Sequence, residues 1–287
     1  MGTLFFEITR AGNIPLPTGT KSLDEVTREL PQGFYTTFST LSGGTKVLGL
    51  RAHLQRLYIP ARELGLVPSV DMSTLRIRLA ELTKINLPHE SRVRLILTNS
   101  DGTVYAGIQP FRSLPEAVYR DGVHVVTAEI ARSDPRIKGT DFIAKSTEQR
   151  KLVKGDVFEV LLTRNGKILE GMTSNFYVIA RRAPSPTKQS PDEATLITAR
   201  SGILLGVTRR AVLRLARGEG MSIEYRPPEV GGKFDEAFLT SSSRGVVPIV
   251  SIDGNPVGRV EAVGDWTTRL IRAYREYVEK KAEGWQR

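Results

Sequence analysis

The chain has 287 residues, 40% hydrophobic and 25% charged, which is enough apolar material for one large domain or two smaller ones. Cysteine is absent, which excludes disulfides and thiolate metal sites, and His53, His89 and His124 stand at no metal-ligand spacing, so no metal is expected. The net charge of +10 is spread along the chain without a basic block or zinc-finger spacing, so a basic surface or sites for anionic small molecules are expected rather than nucleic acid.

The opening "MGTLFFEITRAG" is a short apolar run broken by Glu7 and Arg10, unlike a secretion signal. No stretch reaches the ~18 apolar residues of a membrane span, and a soluble cytoplasmic chain is expected. "FYTTFSTL" (Phe34–Leu41) reads as a strand, "SGGTK" as a turn and "VLGL" as the start of a return strand. Leu54, Leu57, Ala61 and Leu64 follow at helical spacing, with Pro60 expected to kink or restart that helix. A second helix carries Leu75, Leu79 and Leu82 with Ser73 as its expected cap, and "RVRLILT" (Arg92–Thr98) alternates like a strand.

Residues 112–122 read as a connector, followed by the strand "VHVVTAEI" and then "ARSDPRIKGTDFIAK" (Ala131–Lys145). Asn165-Gly166 predicts a tight hairpin, Asn175–Ala180 a strand, and Arg181–Ala194 a polar, proline-rich loop. "GILLGVTRRAVLRLA" turns helical after Gly206, and a last helix has Val263, Trp266, Leu270 and Tyr274 in register. Hairpins outnumber plain βαβ units, so the fold class is α+β. The expected division is a smaller α/β domain at 1–115, a connector at 116–122 and a larger α+β domain at 123–287.

Four features carry candidate chemistry. Lys138 sits at a strand-to-helix junction beside Ile137, where burial would favour the neutral amine that forms a Schiff base; a solvated loop lysine is the alternative. Glu170 in "ILEGMTSNFYV" could hold a cationic ring nitrogen, or could face water on an edge strand. In "LLGVTRRAV", Val207 and Thr208 open a helix whose free N–H groups suit a phosphate, with simple capping by Thr208 as the alternative. "LTSSSRG" offers hydroxyls and amides to an anion, or is a polar turn.

A Schiff-base lysine, a carboxylate for a ring nitrogen and two phosphate turns are what pyridoxal 5′-phosphate requires. On these residues the chain resembles the class IV aminotransferases, the fold type IV enzymes that include branched-chain and D-amino acid aminotransferases and 4-amino-4-deoxychorismate lyases. "HLQRL" resembles the family's H-x-x-R-L, which implies that Arg56 binds the cofactor phosphate. "IKGTDF" resembles the segment of the Schiff-base lysine, Lys138, and "LEGMTSNFYV" that of the glutamate paired with the pyridine nitrogen, Glu170. "LLGVTR" implies phosphate-binding amides at Val207 and Thr208, and "TSSSRGVVPI" a phosphate-binding hydroxyl at Ser242. The resemblance further implies a two-domain fold with the cofactor site between the domains, and a homodimer.

The branch of the family is less sharply marked. Thr36 and Thr37 resemble the lyase branch, Arg94 the branched-chain transaminases, and Tyr35 an active-site tyrosine of the D-amino acid enzymes. Tyr35, Thr37, Arg94 and Arg244 are candidate substrate contacts, with pocket organisation or a solvent-facing place on the strand as the alternatives for Arg94 and a solvent-facing place in "SSSRG" as the alternative for Arg244. Asp141 departs from the family pattern, where asparagine is frequent. The expected function is transfer of an amino group between an amino acid and a 2-oxo acid. The lyase that forms pyruvate and 4-aminobenzoate is the alternative, and a basic nucleic-acid-binding protein the distant one.

Overall fold

The computed structural model describes residues 2–130, 137–181, 193–258 and 262–285. The loop expected at Arg181–Ala194 lies outside the described residues except at its ends, as does the 131–136 part of the lysine segment. The chain forms two compact units. The first comprises Met1–Ser113, Ile137–Lys145 and Val278–Arg287, and the second Leu114–Arg136 and Ser146–Tyr277. The sequence grouped 123–287 together, whereas the lysine segment and the C-terminal end count with the first unit.

In chain order the first elements are β1 (Leu4–Ile8), β2 (Asn13–Leu16), α1 (Leu23–Glu29), β3 (Gly33–Leu41), β4 (Lys46–Val47), α2 (Leu50–Glu63), α3 (Met72–Thr83), β5 (Ser91–Thr98) and β6 (Val104–Pro110). Then come α4 (Glu116–Asp121), β7 (Val123–Glu129), α5 (Asp141–Lys145), α6 (Thr147–Arg150), β8 (Val157–Arg164), β9 (Lys167–Gly171), β10 (Asn175–Arg181) and β11 (Ala194–Thr198). The chain continues with α7 (Val207–Gly218), β12 (Ser222–Tyr225), β13 (Glu236–Ser241), β14 (Gly245–Ile252), β15 (Asn255–Pro256), α8 (Asp265–Lys281) and β16 (Glu283–Gly284). No helix among the described residues is long and apolar enough to cross a membrane.

The first unit is built on an antiparallel sheet of order β16-β4-β3-β5-β6-β1-β2. The two-residue period of a strand divides its side chains between faces. Phe34, Phe38, Val93, Leu95 and Leu97 pack with Leu50, Leu54 and Leu57 of α2 and Leu75 and Leu79 of α3. Tyr35 and Ile96 belong to a second cluster with Leu23 and Val26 of α1 and Ile143 of α5. Helix α1, which hydrophobic spacing did not suggest, is started by a capping box: Ser22 accepts from Glu25 N, and the Glu25 carboxylate accepts from Ser22 N. Helix α3 is capped by Asp71, whose carboxylate accepts from Thr74 N at 2.7 Å, and not by Ser73, which already lies inside the first turn. Helix α2 runs on through Pro60, and the expected return strand shortens to β4 because Leu50 already begins α2.

The second unit holds a sheet of order β12-β11-β10-β13-β14-β7-β8-β9. Pairing of Glu170 with Asn175 joins β9 back to β10, so β10-β13-β14-β7-β8-β9 close into a ring. The pairs β7–β8, β7–β14 and β11–β12 are parallel and the others antiparallel. Asn165 and Gly166 both have positive φ, 50° and 69°, as the hairpin between β8 and β9 requires. Val125, Leu161, Ile168, Phe176, Val178, Leu239 and Val247 form the core.

Candidate active site

Lys138 is placed by its main chain. Tyr35 N donates to Lys138 O at 2.8 Å, and Phe34 and Gly139 form an antiparallel bridge. Thr140 N donates to Gly33 O at 2.9 Å, and Gly33 N donates to Thr140 Oγ1 at 3.0 Å. The lysine segment therefore extends the sheet beyond β3, and Lys138 Nζ lies 4.6 Å from the centroid of the Tyr35 ring. The Asp141 carboxylate accepts from Lys145 Nζ at 2.8 Å and lies over Gly139, where a Cβ would collide with its Oδ1. Asp141 thus shapes the backbone next to Lys138.

Tyr35, Thr37 and Arg94 share one sheet face. Arg94 is 6% exposed; its Nη1 donates to Asp24 Oδ1 at 2.6 Å and to Thr27 Oγ1 at 3.1 Å, and its Nε to Thr37 Oγ1 at 3.2 Å. The guanidinium carbon stands 5.3 Å from the Tyr35 centroid. The paired threonines part company: Thr36 Oγ1 shares a 2.7 Å hydrogen bond with His53 Nδ1 of α2, toward the opposite face. His53 is fully buried, and burial first, then the charges of Arg56 and Lys138, hold it well below the ordinary histidine range, so the ring is neutral. Arg56 follows one turn after His53 on α2 and is half-buried. His53 stands inside "HLQRL", where no local motif gives it a role. Its placement three residues before an arginine, on an apolar helix face, was the available signal.

In the second unit Glu170 is 2% exposed, and its Oε2 accepts from Leu204 N at 2.9 Å. Asn175, paired with Glu170 across the strands, donates from Nδ2 to Leu204 O at 2.7 Å. The Leu204 peptide groups are thus held on both sides, two residues before Gly206. A Cβ at Gly206 would collide with Asn175 Oδ1, so only glycine admits this approach. Gly206 is the N-cap of α7 and supplies no side-chain cap, and the first turn contains no acidic residue. The amide groups of Val207 and Thr208 accordingly open a helix whose positive end suits an anion. Thr208 is buried and hydrogen-bonds Tyr274 of α8, whose hydroxyl burial pushes up to about 12.

Ser242 occupies the turn between β13 and β14, as does Arg244. Arg244 Nε donates to Ser241 Oγ at 3.1 Å, and Nη2 to Thr173 Oγ1 at 2.5 Å. Nη2 also stands 2.7 Å from Oε2 of Glu159, a carboxylate 3% exposed. That oxygen has no aligned hydrogen bond, so the contact is one of charge. Glu159 Oε1 accepts from Thr173 N at 2.6 Å, and Tyr119 donates its hydroxyl proton to Arg244 O at 2.8 Å. Arg244 therefore ties the serine turn to the loop that follows Glu170. Glu159 was not foreseen, because it lies in a strand pattern without a motif.

The predicted residues thus gather as two sets, Lys138, Tyr35, Thr37, Arg94 and Arg56 on the first unit, and Glu170, Val207, Thr208, Ser242 and Arg244 on the second.

Residues 33–252 match the family described as amino-transferase class IV. The chain is 30% identical over 223 residues to a D-alanine aminotransferase of Bacillus licheniformis, covering 73% of this chain and 75% of that protein. Its fold is similar to that of the T.th. branched-chain amino acid aminotransferase solved with pyridoxamine 5′-phosphate, at a TM-score of 0.77 and 19% identity over 99% of both chains. A hypothetical aminotransferase from Mycobacterium tuberculosis in its PLP-bound form is similar at a TM-score of 0.68 and 20% identity, over 96% of this chain and 100% of that one.

Proposed function

The chain belongs to the class IV aminotransferase family and is an aminotransferase, and on that premise we propose how its residues divide the work of moving an amino group from an amino acid to a 2-oxo acid. Its cofactor is pyridoxal 5′-phosphate, which when bound supplies an electron sink for the bonds broken at the donor's Cα. The donor set suits that group. An uncapped helix start offers amides to a phosphate, and a buried carboxylate suits a protonated ring nitrogen.

We assign Lys138 as the catalytic residue. Its Nζ is the cofactor anchor, and as a neutral amine it takes the proton from Cα of the donor. The Tyr35 ring beside Nζ and the main-chain bond from Tyr35 N to Lys138 O support this role by limiting where the amine can swing. Glu170 would keep a proton on the ring nitrogen, because a carboxylate held in a buried site favours a neighbouring cation. The amides of Val207 and Thr208, the Arg56 guanidinium and the Ser242 hydroxyl would hold the phosphate. Neutral His53, buried and bonded to Thr36, would steady the helical turn that carries Arg56.

The linkage of Glu170 to Leu204 and of Leu204 to Asn175 carries this reading. It fixes the buried carboxylate to the backbone that leads into α7. The reading includes a homodimer in the cytoplasm, taking a small-molecule amino acid and 2-oxo acid; light scattering of the purified protein checks the dimer. Purified protein with added pyridoxal phosphate is expected to gain a visible absorbance band that borohydride removes. Lys138→Ala should lack the band and lose about 10²- to 10⁴-fold in kcat. A protein that stays colourless with added cofactor would overturn the assignment. So would one that releases pyruvate from 4-amino-4-deoxychorismate yet exchanges an amino group with no donor.

A further inference from the structure

The surroundings of Arg94 bear on which substrates the site admits, and the inference rests on the assignment of Lys138 as catalytic residue. Arg94 Cζ and Lys138 Nζ both lie within 5.3 Å of the centroid of the Tyr35 ring. One phenol ring is therefore shared by the reacting amine and a nearly buried guanidinium. An arginine so placed would be a receptor for a substrate carboxylate, since its planar fork of donors matches two carboxylate oxygens. Here Nε and Nη1 of that fork are already engaged. Asp24 Oδ1 accepts from Nη1 at 2.6 Å, Thr27 Oγ1 accepts from the same nitrogen at 3.1 Å, and Thr37 Oγ1 accepts from Nε at 3.2 Å.

Asp24 reaches Arg94 because α1 lies over this face of the sheet. Leu23 and Val26, on either side of Asp24, pack with Tyr35, Ile96 and Ile143. The carboxylate is 28% exposed while the Arg94 side chain is 7% exposed, so water and solutes approach the pair from the Asp24 side. An incoming second carboxylate would meet a guanidinium already neutralised, with the Asp24 charge in its path.

We propose that Asp24 is a specificity-determining residue: by occupying the Arg94 guanidinium beside Tyr35 and Lys138, it turns the site against amino donors and 2-oxo acids that carry a second carboxylate. The enzyme prefers donors with uncharged side chains, and the charge of Asp24 sets that preference.

The test compares kcat/KM for glutamate and aspartate with that for alanine and leucine, in both enantiomers and with 2-oxobutanoate as acceptor. The wild-type, Asp24→Asn, Asp24→Ala and Asp24→Glu enzymes are measured, each loaded with pyridoxal phosphate. The ratio of acidic to neutral donors should rise at least about tenfold in Asp24→Asn and Asp24→Ala, as one charge-assisted bond predicts. The change should fall in KM, and Asp24→Glu should restore the wild-type ratio. Loss of folding or packing would lower both donor classes together and leave the ratio in place. Calorimetric titration with the dicarboxylate glutarate gives a second reading that needs no turnover. Asp24→Asn should bind it more tightly than wild type does, and the gain should vanish when Arg94→Met is added. The proposal is overturned if wild type uses acidic donors as readily as neutral ones. It is equally overturned if neither substitution changes the ratio or glutarate binding. Failure of the wild-type enzyme to transaminate any donor would instead count against the assignment of Lys138, and glutarate binding would still decide the role of Asp24.

Discussion

Arg94 and Arg244 were both candidates to contact a substrate, and each is found against a carboxylate of its own unit. The two carboxylates differ in burial. Asp24, opposite Arg94, is 28% exposed and rides on a seven-residue helix, while Glu159, opposite Arg244, is 3% exposed within a central strand. Glu159 also accepts from Thr173 N and Oγ1, so its position does not rest on Arg244 alone. Arg244 in turn bonds Ser241 and Thr173. It is a strut between two loops, whereas Arg94 holds a counter-ion that solvent can reach. Burial of the partner, more than the arginine itself, separates a structural pair from an adjustable one.

The largest effect is expected from cutting the strut. Glu159→Ala should cost about 3 kcal/mol, because it leaves a mostly buried guanidinium without its counter-charge and the Thr173 amide without its acceptor. Denaturant midpoints read the loss. The cofactor should also be retained less tightly, as Ser242 stands two residues before Arg244 in the same turn. If Glu159→Ala left both stability and cofactor retention unchanged, Arg244 would not be a strut.

His53 extends the comparison to a buried group that can lose its charge. Its charged neighbours are the cations Arg56 and Lys138, and it stays neutral in the folded protein. The unfolded chain takes up a proton near pH 6.5 where the folded one does not, so stability falls as pH drops below that value. Between pH 7 and pH 5.5 the loss should be on the order of 1 kcal/mol. Asp101, lowered to about 2 chiefly by the Thr98 hydroxyl, titrates well below this window. His53→Gln should flatten the slope; an unchanged slope would mean that the ring is charged in the fold.

These pairings mark the limit of what the sequence revealed. The strand at β3, the Asn165-Gly166 hairpin and the helix after Gly206 are local patterns and were legible. Helix α1 was not read: its signal lies in the serine and glutamate three positions apart at Ser22 and Glu25, and its short apolar face hid it. The candidate site residues were named from short motifs that keep Lys138, Glu170 and the α7 turn in order along the chain. Asp24 and Arg94 are 70 positions apart, and Thr173 and Arg244 are 71 apart. Sheet closure and helix packing bring such residues together, and no local spacing encodes it. That is why the carboxylate partner of neither arginine was legible in the sequence, although both are paired in the fold.

The smallest effect on stability should follow Asp24→Asn, and its smallness is informative. The asparagine oxygen can still accept from Arg94 Nη1, and Thr27 and Thr37 keep their bonds to the guanidinium. What is lost is the charge of a carboxylate that water already screens, worth about 1 kcal/mol or less. A shift in denaturant midpoint as large as that of Glu159→Ala would show that Asp24 is a strut like Glu159, and the contrast between the two arginines would collapse. A small shift together with a raised acidic-to-neutral donor ratio would separate the charge's contribution to selection from its contribution to folding. A pair chosen for stability alone would move the first quantity and leave the second in place.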